Sequence, residues 1–174
     1  VRYAQLTDKT FNIKTDGFES AEIDTMVSRQ GWLCPICLQE SDSAFYSTSQ
    51  DRIVCPLKEQ FPKGTTFYST LLHEIAHRTG HDTRLKRDMT GIFGSSSYAR
   101  EELVAELTSA LCSVVQGITA APQEENAAYL DSWLDALKAK PDFLFDVLID
   151  ANKAATMILD RIEECNQPSG QNAA

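Results

Sequence analysis

His73 and His77 stand four residues apart in HEIAHRTGH, and Glu74 directly follows the first of them. This stretch, residues 73–81, holds all 3 histidines of the 174-residue chain. From Thr65 onward apolar side chains recur at helical intervals (Phe67, Leu71, Leu72, Ile75, Ala76), which predicts a helix under the motif, and Gly80 is a plausible stop for it. On a helix, residues four apart lie one turn from each other and about 40° apart in azimuth. Two imidazoles so placed can grip one metal ion from one face. Glu74, one step round, is poorly placed as a third ligand but can reach a water held by the ion. This is the HExxH arrangement, in which zinc acidifies its water while the glutamate takes the proton and passes it to the leaving group.

A catalytic zinc takes three protein ligands and keeps one position open. His81 is the nearest further histidine, but on an unbroken helix it would drift about 80° from His73. It is therefore expected to orient another ligand or to face the substrate. A carboxylate from a second helix suits the third position better. In YAREELVAEL, Glu102 and Glu106 are again four apart and share a face. Glu102 is the favoured ligand and Glu106 its support, orienting a histidine through the far ring nitrogen; the spacing also allows the reverse. Peptide hydrolysis further needs a donor for the oxyanion, and Tyr98, His81 and Arg100 are the candidates.

These residues require two helices and a turn between them. The second helix is expected from about Tyr98 to Gln116, capped by Ser97 and ended by Gly117, with Glu101 and Glu102 in its first turn favoured by the helix dipole. Two more amphipathic helices are expected near 124–139 and 142–165, with Trp133, Leu134, Leu137, Phe145, Leu148, Met157 and Ile158 inside. Ahead of the motif, Ala44 to Ser47 and Arg52 to Cys55 flank a polar turn and read as a β-hairpin, which could offer an edge strand to an extended peptide. The expectation is an α+β chain, mostly helical, with a small antiparallel sheet or hairpin before the motif helix. Residues 1–165 form one domain, 1–43 pack on it as an extension, and 166–174 are a disordered tail.

Composition narrows the function classes. The net charge is −9, with 43% hydrophobic and 24% charged residues. A duplex-binding domain normally has the opposite sign, so direct nucleic-acid binding by this domain alone is not expected. Arg78, Arg84, Lys86 and Arg87 form one local basic run, read first as a solvated turn and otherwise as a patch for an acidic part of a substrate. No apolar run reaches the roughly 20 residues of a membrane span, and no secretory signal is visible. The chain begins at Val1, as a fragment or a processed product would. Its 5 cysteines are odd in number and fit reduced thiols in a cytoplasmic protein. In WLCPICL, Cys34 and Cys37 could be half of a metal site with Cys55 as a third thiolate, or a redox dithiol. No fourth ligand remains, and two buried or half-buried thiols fit better.

Several ordered stretches together resemble one family. YSTLLHEIAHRTGHDTRLKRD, FGSSSYAREELVAELTSAL and AAYLDSWLDALK, preceded by AFYSTSQDRIVCPLKEQF, look like the zincin-like metallopeptidase domain of ArdC-type antirestriction proteins from conjugative plasmids and related mobile elements. The likeness runs from about residue 44 to 160. It implies a zincin-like fold, one zinc ion on His73 and His77, Glu74 as the catalyst, and an acidic helix matched by Glu102 and Glu106. It also implies a separate single-stranded DNA-binding domain in the full-length chain and a role in conjugative transfer or protection of incoming DNA; the expectation of a protein or peptide substrate comes from the HExxH chemistry and not from the resemblance. The alternative is a non-catalytic, metal-stabilised acidic domain that mimics DNA or docks against DNA-binding enzymes.

Overall fold

In the computed structural model, which describes residues 17–92, 95–119, 130–139 and 142–167, one helix runs through the middle of the core. This is α2 (Gly64–Thr79), and every side chain from Phe67 to Thr79 is buried. A helix buried on all sides is ordinarily apolar all round. Here it carries His73, Glu74, His77 and Arg78 in the same two turns. A charge buried without a partner costs several kcal/mol, on the order of the whole stability margin of a small domain. The surrounding elements must therefore bring partners to α2, and most of the architecture follows from that demand.

On one side lies a three-stranded sheet in the order β1 (Ile36–Gln39), β3 (Arg52–Pro56), β2 (Phe45–Ser47). β2 and β3 form the expected hairpin, with Phe45 opposite Val54 and Ser47 opposite Arg52. β1 was not expected as a strand. It pairs parallel to β3, Ile36 beside Ile53 and Leu38 beside Cys55, so the sheet is mixed rather than antiparallel. Asp51 closes the hairpin turn at φ 48°, a left-handed conformation that Asp tolerates better than most residues. Its carboxylate accepts the Tyr46 hydroxyl at 2.9 Å and pairs with the buried Arg78 of α2. The hairpin is thus pinned to the motif helix by a charge.

On the other side lie α3 (Ser96–Val115) and α5 (Phe143–Asn166), with α1 (Ala21–Ser28) against α5 and α4 (Leu130–Ala139) against α3. Ile23 and Met26 of α1, Ile36 and Ile53 of the sheet, Leu71 and Ile75 of α2, and Ile158 and Ile162 of α5 share one core. Residues from Phe18 to Ala44 therefore belong to the same core as the motif helix. Ser95, not Ser97, caps α3, accepting the Tyr98 N–H at 3.2 Å. Three consecutive serines gave the sequence no means of choosing between them. Glu101 and Glu102 consequently sit in the second turn. Gly117, at φ 69°, ends the helix as expected; the Ile118 N–H reaches back to the Ser113 carbonyl at 2.8 Å in a Schellman closure.

The inward face of α5 differs from expectation. Val147, Ala151, Ala154, Ala155, Ile158 and Ile162 are buried, while Leu134 of α4 and Phe145 and Leu148 of α5 are exposed. α3 comes close enough for the Thr108 hydroxyl to reach the Ala151 carbonyl at 3.3 Å, and only small side chains permit that approach. Ile158 is inside as the sequence predicts, and the rest of the inward face is made by three alanines with Val147 and Ile162. Trp133, Leu137 and Met157 are half-buried. The expected helix start at 124–129 and the tail from 168 onward lie outside the described residues. No helix among the described residues is long and apolar enough to cross a membrane.

Candidate metal centre

The i, i+4 spacing on α2 points both histidines at the second turn of α3. Their Nε2 atoms are 3.0 Å apart. Glu102 straddles the pair, with Oε2 3.5 Å from His73 Nε2 and Oε1 3.6 Å from His77 Nε2. Ligand atoms each about 2.1 Å from a tetrahedral zinc ion lie about 3.4 Å from one another. The three observed separations bracket that value, so the donor set fits one small divalent cation. Among the described residues this trio is the one group of possible ligands close enough to share an ion, and the cysteines form no second group.

Each imidazole is backed by its own carboxylate. His77 Nδ1–H donates to Glu101 Oε1 at 3.1 Å, and His73 Nδ1 lies 3.2 Å from Glu106 Oε1. A proton held on Nδ1 leaves the Nε2 lone pairs free to face the ion. Glu106 thus stands behind a ring while Glu102 stands between the two. Burial opposes a charged His73 ring, yet Glu102 and Glu106 outweigh it and push its pKa up to about 10 in the metal-free chain. The site demands positive charge, whether proton or metal.

Glu101, which the sequence points to only as a dipole partner in the first turn of α3, stands behind His77. It is also held by Arg87, whose guanidinium donates to both of its oxygens at 2.8 Å, to the Thr79 hydroxyl at 2.8 Å and to the Ala76 carbonyl at 2.9 Å. Burial alone would raise the Glu101 pKa, but Arg87 and then His77 hold it below the usual carboxylate range. Gly80 makes room for this clamp. A Cβ there would meet Arg87 Nη2 and the Met89 sulfur at 2.9 Å each. The helix stop read from Gly80 is therefore also a packing requirement.

The basic run read from the sequence does not form a patch. Arg78 is buried on Asp51, Arg87 is buried on Glu101, and Arg84 donates to the Leu33 carbonyl at 2.9 Å. His81 lies past the end of α2 and bonds the Thr83 hydroxyl at 2.9 Å, outside the cavity lining. Arg100 is turned to Asp150 at 2.7 Å. Tyr98 alone of the three oxyanion candidates lines the cavity, whose wall also includes Tyr46, Glu74, His77, Asp88 and Glu102. Gly91 seats the start of α3: a Cβ on it would lie 2.4 Å from the Tyr98 nitrogen.

Glu74 is fully buried, and neither carboxylate oxygen has a hydrogen-bond partner. Burial raises its pKa above the usual carboxylate value. The cysteine pair shows no comparable chemistry. Cys34 is buried and its pKa is pushed up to about 11, mainly by that burial, which disfavours the thiolate; Cys37 is half-buried in β1.

Residues 22–148 match the zincin-like metallopeptidase family MPTase-PolyVal. The chain is 44% identical over 120 residues to the DNA primase TraC of Escherichia coli, covering 69% of this chain and 11% of that protein. It is 35% identical over 112 residues to an uncharacterized protein, y4eC, of Sinorhizobium fredii, covering 64% of this chain and 36% of that protein. Two crystal structures of the antirestriction protein ArdC from plasmid R388 share its fold. The Mn(II)-bound form gives a TM-score of 0.71 at 31% identity over 83% of this chain, and the metal-free form 0.73 at 30% over 86%. The chain spans 52% and 53% of those two ArdC chains, and a smaller share of the sequence relatives. The match over most of its length, together with two histidines and a glutamate gathered around one point, places the chain in the zincin-like metallopeptidase family.

Proposed function

We propose that this chain is the catalytic domain of a zinc-dependent peptidase within an antirestriction or conjugation-associated protein. The Glu74 carboxyl carries the reading. A carboxyl fully buried without a hydrogen bond is costly, by about 1–3 kcal/mol or more. A purely structural metal site has no use for it. A peptidase does, because a base beside the ligands must be ready to receive a proton.

A divalent ion on His73, His77 and Glu102 would supply a Lewis acid and acidify a coordinated water. Glu74 accepts a proton on its carboxylate and returns it to the departing amide nitrogen. His77 is kept in orientation by Glu101 and His73 by Glu106. Tyr98, at the cavity wall, is the side chain from which a phenolic hydroxyl can donate to the developing oxyanion. The nitrogen-rich donor set favours zinc, and the Mn(II) in the ArdC relative speaks for a divalent ion in general.

Glu74→Gln separates this reading from the non-catalytic alternative. The variant should keep fold and metal content, measured by circular dichroism and elemental analysis. Its kcat on an unfolded protein substrate such as casein should fall by about 10²–10⁴. If the variant instead retains the full antirestriction effect in cells, the acidic decoy reading is correct. Protein purified without added metal should contain one equivalent of zinc; manganese or none would remove zinc from the proposal.

A further inference from the structure

The basic run at 78–87, whose second reading is a patch for an acidic part of a substrate, supplies none of the cavity wall, which is acidic. Glu74, Asp88, Glu101 and Glu102 line it, and no lysine or arginine does among the described residues. These carboxylates are not equivalent. Glu101 is matched by Arg87, and Glu102 stands between the two imidazoles. Glu74 is buried deep in the wall. Asp88 is the one exposed at the mouth. It belongs to the loop that follows α2, where Thr90 engages one of its two oxygens. The Thr90 N–H and hydroxyl both bond Oδ1, at 3.0 and 2.6 Å, and neither bonds Oδ2. The same bonds, the hydroxyl's foremost, hold its pKa below the usual carboxylate range. Arg100, a nearby cation, is engaged by Asp150 at 2.7 Å. Tyr98 adds an aromatic ring to the wall, and a ring face attracts a cation and repels an anion; the Tyr46 ring already has the Arg78 guanidinium 5.7 Å from its centroid.

From these positions we infer that the cleft selects extended peptide segments carrying a lysine or arginine next to the bond presented to the metal ligands, and that Asp88 is the residue that reads this charge. The inference rests on the peptidase reading for the identity of the ligand as peptide. The bulk charge of −9 would attract any basic peptide weakly and would be screened beyond about 10 Å at ordinary salt. A charge-reading residue at the mouth adds a preference that depends on one position.

The test uses the whole zinc-loaded chain carrying Glu74→Gln, so that bound peptide is not consumed. Three labelled, unstructured peptides of equal length are compared by fluorescence anisotropy: one with lysine and arginine around a central alanine pair, one with glutamates, one neutral. The basic peptide should bind tightest. Asp88→Asn, which keeps an acceptor for Thr90, should cut that preference about three- to five-fold, as an exposed charge pair would. Asp88→Lys should invert it in favour of the acidic peptide. Asp160→Asn, which removes the same exposed charge outside the cavity lining, should leave it almost unchanged. Equal binding of the three peptides, or a preference that Asp88→Asn and Asp88→Lys leave intact, overturns the inference. Cleavage of the same peptides by the chain with its native Glu74 reports on the catalytic reading separately. Charge-selective binding without any cleavage would sink the peptidase reading and leave the recognition role of Asp88 standing.

Discussion

At the scale of single residues, the site is a problem of satisfying buried nitrogen and oxygen. Three glutamates, 101, 102 and 106, meet two histidines that each have a near and a far ring nitrogen. One glutamate lies between the near nitrogens and the other two stand behind the far ones. The i, i+4 spacings made His73, His77, Glu102 and Glu106 legible as two facing pairs. Glu101 was not legible, because its task depends on Arg87, which reaches it only after the chain turns at Gly80. A count of jobs shows the gap: two rings to be backed and a third protein ligand require three carboxylates. The consequence is testable at Arg87. Arg87→Met leaves Glu101 buried without its clamp and frees the His77 ring to tilt. Metal affinity, measured by competition with a chromophoric chelator, should fall about 10–100-fold. Arg87→Lys should recover only part of it, since a single ammonium cannot reproduce the bidentate fork. Unchanged affinity in Arg87→Met would show that Glu101 orients His77 without help.

At the scale of elements, the unusual feature is that the motif helix is buried all round and so dictates its neighbours' polar chemistry. The hairpin is held to it by core packing of Ile53 and Cys55 with Leu71 and Ile75 and by the Arg78–Asp51 pair. Arg78 is 1% exposed and its partner 39%, so solvent weakens but does not cancel the pair. Asp51→Asn keeps the acceptor for Tyr46 while leaving a buried guanidinium without its counter-charge. A loss of about 1–3 kcal/mol in urea unfolding is expected after allowing for the exposure of Asp51. Adding Arg78→Met to that variant should restore much of the loss, because removing both charges from a buried pair is often close to neutral. If Asp51→Asn alone is as stable as the parent chain, the hairpin is held by packing and not by charge. The hairpin itself was legible from its β-prone runs and polar turn, as were α2 from its apolar stripe and Gly80, α3 from its first turn and Gly117, and α5 from its amphipathic period. β1 was missed because a four-residue strand paired in parallel leaves no local signature, and the cysteines of WLCPICL drew the reading toward thiol chemistry. The inward face of α5 was misread for a related reason: which stripe of an amphipathic helix is buried depends on how closely its partner approaches, and that is a property of the pair.

At the scale of the whole molecule, folding, protonation and metal binding are one linked equilibrium. The core assembles α2 against the sheet, α3 and α5, and in doing so forces His73 between Glu102 and Glu106. In the metal-free chain that ring has its pKa pushed up from 6.5 to about 10 by those carboxylates against the opposing effect of burial. A group whose folded pKa is raised contributes stability that is fully present below the unfolded value and is lost as pH rises through the folded value. The metal-free chain should therefore be steady near pH 6 and lose stability, on the order of a few kcal/mol, between about pH 6.5 and 10. A metal ion replaces that proton, so its affinity must move the other way. If one proton leaves His73 on binding, the apparent affinity should rise about tenfold per pH unit between pH 6.5 and 8.5. At a fixed excess of zinc the added stability follows RT ln(1 + [L]/Kd), so the zinc-loaded chain should gain in thermal stability relative to the metal-free one as pH rises. Chelator-treated and zinc-loaded protein, melted side by side at half-unit steps across this range, would show the two curves diverging. Parallel curves would mean that the ring gives up no proton to the metal, and that the carboxylates around it serve only to hold it in place.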